Sequence, residues 1–259
     1  MTRSHDAVVK AQFGSQASAY VASIVHAEGR DLDALEAIAA RERPGRALDL
    51  GTGGGHVAYR LAAHAGSVAA VDLSAAMLEV VSETARARGL SNVETCAASA
   101  ERLPFETASI DLLACRYSAH HWQQWGAGLR EARRVLKPGA WAIFIDVISP
   151  GYPVFDTHLQ AVELLRDPSH VRNYTEAEWT AALANAGFRV RRSEKRRVRM
   201  EYASWVERMR TPEAHRAAIR SLQQLASAQT AAYFAIEADG SFSIDALQIE
   251  ATACRAREL

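Results

Sequence analysis

Apolar and polar positions along the chain fall into two rhythms. Residues 6–40 carry helical periodicity twice, in AVVKAQF and in DLDALEAIAA, where Leu32, Leu35 and Ile38 recur at helical spacing; the stretch AYVASIVHAEG between them is also helix-like. Pro44-Gly45 ends that region, and the short apolar run RALDL predicts a buried strand leading into a glycine-rich turn. An alternation follows: helix GHVAYRLAAHAG, strand SVAAVD, helix SAAMLEVVSETARARG capped by Ser74 and closed by Gly89, then strand NVETCA. IDLLACR and WAIFIDVI predict two more strands, separated by helical LREARRVL and its Lys137-Pro138-Gly139 stop. Strands alternating with helices predict a parallel sheet covered by helices on both faces.

Beyond residue 150 the rhythm changes. FDTHLQAVELLRD and EAEWTAALANAG read as helices, FRVRRSEKRRVRM as a strand with apolar residues at 188, 190, 198 and 200, residues 203–234 as helical again, and DALQIEATA as a last strand. No repeat or linker divides the chain, so a single domain is expected. It comprises a helical extension over 1–43, a core over 44–200, a helical insertion over 201–240 and a last strand within 241–259.

The composition, 49% hydrophobic and 23% charged over 259 residues, excludes a disordered or collagenous chain. Thirty basic and thirty acidic side chains cancel, which removes any global attraction to nucleic acid or anionic membrane. Cys96, Cys115 and Cys254 have no CxxC spacing and suggest neither a disulfide framework nor a zinc site. The start MTRSHDAVVKAQFGSQ lacks the apolar core of a secretory signal, and the most apolar stretch, Trp141 to Ile148, is interrupted by Asp146 and too short for a bilayer. A cytoplasmic location is the expectation.

The chemistry concentrates at Asp49-Leu50-Gly51-Thr52-Gly53-Gly54-Gly55, between a predicted strand and a predicted helix. Glycines there permit positive φ and let a ligand lie directly against the backbone. About twenty residues on, Asp72 ends the second strand, where a carboxylate can accept both hydroxyls of an adenosine ribose. Together they predict nucleoside binding. The GxGxxG fingerprint of NAD enzymes would need a glycine where this chain has His56, no Tyr-Lys pair stands four residues apart, and no GxxxxGK[ST] loop is present. An NAD-type oxidoreductase is therefore the weaker alternative. Asp49, just before the turn, would repel a pyrophosphate but can orient the turn and attract an ammonium group.

DLGTGGG, Asp72, SAERLPF at 99–105, IDLLACRYSAHHW and LREARRVLKPGAW resemble, in order and spacing over roughly residues 40–190, the motifs of class I S-adenosylmethionine-dependent methyltransferases. The small-molecule group that includes the ubiquinone/menaquinone-biosynthesis enzymes is the most similar. The resemblance implies an α/β Rossmann-like, seven-stranded sheet of order 3-2-1-4-5-7-6 with strand 7 antiparallel. It also implies S-adenosylmethionine as cofactor, S-adenosylhomocysteine as product, and residues 44–200 as the core that binds them. By the same token Gly51, Thr52, Gly53 and Gly55 would pack against the methionine and ribose, Asp49 would lie near the ammonium, and Leu73 and Met77 would flank the adenine. Ala98, Ser99, Ala100 and Glu101 would cap the base; Ser99 stands where many relatives place an aspartate. Arg116 and Tyr117 fall where donor methyl and acceptor meet.

His120 and His121 follow at once and are the candidate catalytic bases for an acceptor that must lose a proton, such as a phenol near pH 10. No metal is expected, because adjacent histidines should point apart and no third ligand stands at a recognisable spacing. The helices at 6–40 and 203–234 are expected to close over a small, partly hydrophobic acceptor, with Phe13, Tyr20 and His26 as lid residues. Residues 189–199 carry seven basic side chains against Glu194. In the implied order this is an edge strand whose charges discourage pairing, with RNA, phosphate or a membrane surface as the disfavoured partners. The expected reaction is in-line transfer of the sulfonium methyl to an oxygen, nitrogen or carbon of that acceptor; a donor-binding protein without catalysis is the alternative.

Overall fold

Residues of the central strands alternate between two apolar faces, so the sheet can be stable only with helices on both sides. The computed structural model, which describes residues 3–14 and 29–255, has that construction. Strands β1 (Arg46–Leu50), β2 (Ser67–Asp72), β3 (Val93–Ala97), β4 (Ile110–Arg116), β5 (Leu136–Ile148), β6 (Phe188–Met200) and β7 (Phe242–Ala253) form one sheet of order β3-β2-β1-β4-β5-β7-β6. The first five pair in parallel, and β7 runs antiparallel to both β5 and β6. The implied strand order and the antiparallel last strand are both found.

One face of β1, β4 and β5 presents Leu48, Leu113 and Phe144 to α5 (Trp125–Val135) and α7 (Glu176–Asn185), which contribute Leu129, Trp179 and Leu183. The other presents Ala47, Leu112 and Ile143 to α2 (Arg30–Glu42), α3 (His56–Ala62) and α4 (Ala75–Ala87) through Leu35, Leu61 and Val81. Ser74 caps α4, its hydroxyl accepting from the Met77 amide at 3.3 Å. The expected helical stretch 203–234 is three helices: α8 (Tyr202–Arg208), α9 (Glu213–Gln224) and α10 (Ala228–Phe234). With α6 (Pro153–Arg166) and the start of β7 they build a third core around Leu159, Trp205, Ile219, Phe234 and Ile244. Helix α1 (His5–Gly14) precedes the whole.

Two strands differ from the sequence reading. Lys137-Pro138-Gly139 does not separate a helix from a strand but lies inside β5: Leu136 pairs with Ile110, and the register then jumps to Trp141 opposite Leu112. Proline offers no amide to a ladder and Gly139 takes φ 87°, so these residues loop out as a bulge while the strand continues. In β6, Val190 pairs with Ala251 and Arg192 with Glu250, leaving Arg191 as one extra residue. Since side chains alternate, that residue reverses the phase. Phe188 and Val190 pack on the α5/α7 face, whereas Val198 and Met200 pack in the third core on the opposite face.

β6 is the sheet edge, as the implied strand order expects, and four of its cations are matched locally: Arg192 with Glu194, Lys195 with Glu176, Arg197 with Asp245 and Arg199 with Glu237. Arg196 departs from that pattern by turning inward to Asp31 at 3.2 Å. The three cysteines are unpaired. No helix among the described residues is long and apolar enough to cross a membrane.

Candidate active site

Strands β1, β2, β4 and β5 end at one rim, and a cavity of about 350 Å³ opens there. That is the size range of small-molecule sites, at the usual place for a parallel sheet. Every donor-contact residue predicted above except Gly55 lines it, as do His120, His121 and Phe13. Tyr20 and His26 lie outside the described residues.

The half over β1 and β2 is built by backbone turns. Adding a Cβ to Gly51 would place it 1.9 Å from Ser118 Oγ, so this glycine lets the loop after β4 close against the turn. Gly53, at φ 49°, would meet nothing within 4 Å and opens its backbone to the cavity. Gly55 is explained differently from the sequence expectation: it does not line the cavity, and a Cβ there would lie 2.5 Å from the Tyr59 ring. Asp72 Oδ2 accepts from the Gly53 amide at 3.0 Å and Oδ1 from the Ser74 amide at 2.9 Å, so the carboxylate also fixes the turn that it faces. Burial pushes its pKa up. Asp49, 1% exposed, takes the Thr52 hydroxyl at 2.6 Å and the Ala58 amide at 3.0 Å on the same oxygen. Its pKa is raised to about 7 by burial, against the pull of those two bonds. Ser99 Oγ accepts from the Glu101 amide at 3.2 Å, which leaves one lone pair and the O–H for a ligand.

The half over β4 and β5 carries the ionisable groups. Arg116 ends β4, and Tyr117 follows at φ 52°, a strained conformation for a non-glycine residue. A short 3₁₀ turn, Ala119–His121, then brings up the two histidines. Asp146, 3% exposed in β5, holds His120 twice: Oδ1 receives Nδ1 at 2.6 Å and Oδ2 receives the His120 amide at 3.2 Å. The proton on Nδ1 makes Nε2 the acceptor nitrogen. Burial opposes the charge on His120, but Asp146, helped by Glu163 and Asp167, outweighs it and raises the pKa.

His121 is the contrary case: burial and the neighbouring His120 hold its pKa well below the ordinary value, and Nδ1 turns to the Ser169 carbonyl at 3.1 Å. The two rings do not point apart as expected; their centroids are 4.1 Å from each other, because the tight turn keeps both on one side. Among the described residues no group of three or more potential ligands is arranged for a metal. Phe13 packs edge-on to His121 at 5.0 Å and His5 Nε2 lies 3.0 Å from the His121 carbonyl, so α1 covers this half. Of the helices at 203–234, only α8 reaches the cavity, through Trp205 and Arg208.

The sequence reading missed Asp146, Asp31, Asn173 and Arg196 as members of this site. Asp31, 3% exposed, receives Arg116 Nε at 2.7 Å, and the two arginines overcome burial to hold its pKa low. Asp146 could have been found: a carboxylate inside an apolar strand needs a partner.

Comparison with known proteins agrees with this geometry. Residues 48–144 match the family described as "Methyltransferase domain". The chain is 47% identical over 197 residues to uncharacterized protein YafE of Escherichia coli (strain K12), spanning 76% of this chain and 95% of that one. It is 35% identical over 200 residues to uncharacterized methyltransferase YcgJ of Bacillus subtilis (strain 168), covering 77% of this chain and 79% of that one. The crystal structure of YcgJ superposes with a TM-score of 0.82 at 30% identity, over 87% of this chain and 99% of that one. A putative methyltransferase from Bacillus halodurans C-125 gives 0.84 at 28% identity, over 88% and 100%. A glycine turn and a strand-end acid on this sheet order define a nucleoside-binding Rossmann-like protein. The chain belongs to the class I S-adenosylmethionine-dependent methyltransferases.

The residues present fit the donor that this family uses. Gly53 leaves room for a ligand, Asp72 offers a carboxylate beside it, and Asp49 is a buried acid whose pKa is raised by burial.

Proposed function

We propose that this protein transfers a methyl group from S-adenosylmethionine to a small, partly hydrophobic acceptor by in-line displacement, with His120 as general base. The observation that carries the reading is the continuity of one cavity from the glycine turn and Asp72 to the His120–Asp146 pair. The donor supplies an activated sulfonium methyl. Gly51, Thr52 and Gly53 would hold its amino-acid and ribose portions, Asp72 the ribose hydroxyls, and Leu73 and Met77 the adenine.

The protein's own work is positioning, for which effective-molarity effects are worth about 7–11 kcal/mol, together with removal of the acceptor proton. Asp146 fixes the His120 tautomer and stabilises the imidazolium that forms when Nε2 takes that proton. His121, held neutral and turned toward Ser169, is placed to shape the pocket rather than to carry a charge. Val147, Val198, Met200, Trp205 and Ile244 line the far side and favour an acceptor with an apolar body. The His120–Asp146 pair is what favours catalysis over donor binding alone.

Calorimetric titration tests the reading. S-adenosylhomocysteine should bind and NAD should not; NAD binding with no response to either sulfur nucleoside would overturn it.

A further inference from the structure

The buried acids of the acceptor half are matched. Asp146 is engaged by His120, Asp167 by the amide and hydroxyl of Ser169, Glu163 by Arg166 at 3.4 Å, and Asp31 by two arginines. Donors are not. Arg196 Nε, Arg196 Nη2 and Asn173 Nδ2 are buried with no hydrogen-bond partner among the described residues, and both side chains line the cavity. Leaving such groups unpaired is costly, so their pattern describes what the cavity is built to receive.

The two orphaned nitrogens of Arg196 are a matched pair. In a guanidinium the Nε–H and one Nη2–H bond project side by side from a single edge, the fork that takes both oxygens of a carboxylate. Nη1, on the other edge, is pinned by Asp31 at 3.2 Å, which fixes the plane of the group. Asp31 is shared with Arg116, so one carboxylate serves two arginines and does not occupy the free edge of Arg196. Arg196 projects from β6, beyond β5 and β7 from the glycine turn, on the same face as Val198 and Met200. That places it on the acceptor side rather than beside the donor.

We propose that Arg196 is the specificity residue for the methyl acceptor, its Nε/Nη2 edge receiving a carboxylate whose apolar body lies against Val198, Met200 and Trp205. The role of that carboxylate compound as a methyl acceptor rests on the methyl-transfer reading above, but its recognition can be tested without turnover. Benzoate and its uncharged isostere benzamide serve as probes, titrated by calorimetry into the protein with and without S-adenosylhomocysteine. Benzoate should bind wild-type protein at least about tenfold more tightly than benzamide, since charge-assisted bonds are at stake. Arg196→Gln should reduce that preference to less than about threefold, and Arg196→Lys, which keeps the charge but not the fork, should fall between.

S-adenosylhomocysteine affinity should stay within about threefold in both variants, which also reports that they are folded. Equal affinity for the two probes in wild-type protein, including no measurable binding of either, would overturn the proposal, as would a preference retained in Arg196→Gln. A donor source is recognised separately: Arg196→Gln would then weaken S-adenosylmethionine binding while sparing its decarboxylated analogue, and that too overturns the acceptor assignment. Failure of wild-type protein to bind S-adenosylhomocysteine would count against the methyl-transfer reading alone, because the probes are also read in its absence.

Discussion

In the proposed reaction Asp146 and His120 divide the work of proton removal: the imidazole would take the proton, and the carboxylate sets its tautomer and raises its pKa. Because that pKa is raised, the base is available only above it, so turnover should climb with pH through a midpoint above the ordinary imidazole value of about 6.5. Asp146→Asn removes the charge and should move this midpoint to lower pH while lowering the plateau. His120→Ala should cost roughly 10²–10⁴-fold in turnover with donor affinity nearly intact. A rate profile with acceptor present checks both; a midpoint unmoved in Asp146→Asn would leave Asp146 a packing residue. On the donor side, Asp49 must be ionised to receive an ammonium, and its pKa lies near 7 in the free protein. Affinity for S-adenosylhomocysteine should therefore rise as pH rises from about 6 to about 8, with a proton released on binding, measurable by calorimetry in buffers of different ionisation enthalpy. Asp72→Asn should weaken the same binding by tens-fold, from hydrogen bonds to a charged group of about 1.5–3 kcal/mol each. Glycine-turn residues, Asp72 and the paired histidines are legible in the chain because motif and spacing carry them. Asp146 leaves a trace, the one acid in an apolar strand, whose partner lies 26 residues away and is fixed only by the pairing of β4 with β5.

Elements decide what residue spacing cannot. Even-numbered positions along FRVRRSEKRRVRM look like one face, yet Arg191 is an extra residue that sends Phe188 and Arg196 to opposite sides of the sheet. No local signal in the sequence marks that bulge, so the pattern alone does not separate Arg196 from the solvent-facing edge charges. The pairing makes a specific demand: deleting Arg191 keeps every partner on both sides of the bulge and loses only the bond from its Nε to Thr252 Oγ1. Stability should change by no more than about 1 kcal/mol. Deleting Lys195 as well leaves no spare residue, so Arg196, Val198 and Met200 must turn outward. That double deletion should lose several kcal/mol, since each buried apolar side chain of this size is worth roughly 1.5–3 kcal/mol. Denaturant unfolding of the two variants distinguishes a bulge from an ordinary strand; equal losses would contradict the phase reversal. The Lys137-Pro138-Gly139 segment behaves in the same way, since its composition signals a break and the β4 partner turns it into a bulge inside β5.

The whole molecule brings the glycine turn, Asp72 and the paired histidines to one sheet rim. Strand order and helical cover on both faces are expected from alternation and from the family resemblance, and each is found. The acceptor half could not be read ahead, because its walls come from α1, α6, α8 and β6, brought together only by folding. Methyl transfer requires that this one cavity align a donor on the Gly51–Asp72 side with a base on the other. A crystal structure of the complex with S-adenosylhomocysteine tests that alignment most directly. The expected result is the ribose on Asp72, the adenine between Leu73 and Met77, and the sulfur directed toward the chamber that holds His120 Nε2 and Arg196. Adenosine bound elsewhere, or a sulfur facing away from His120, would contradict it.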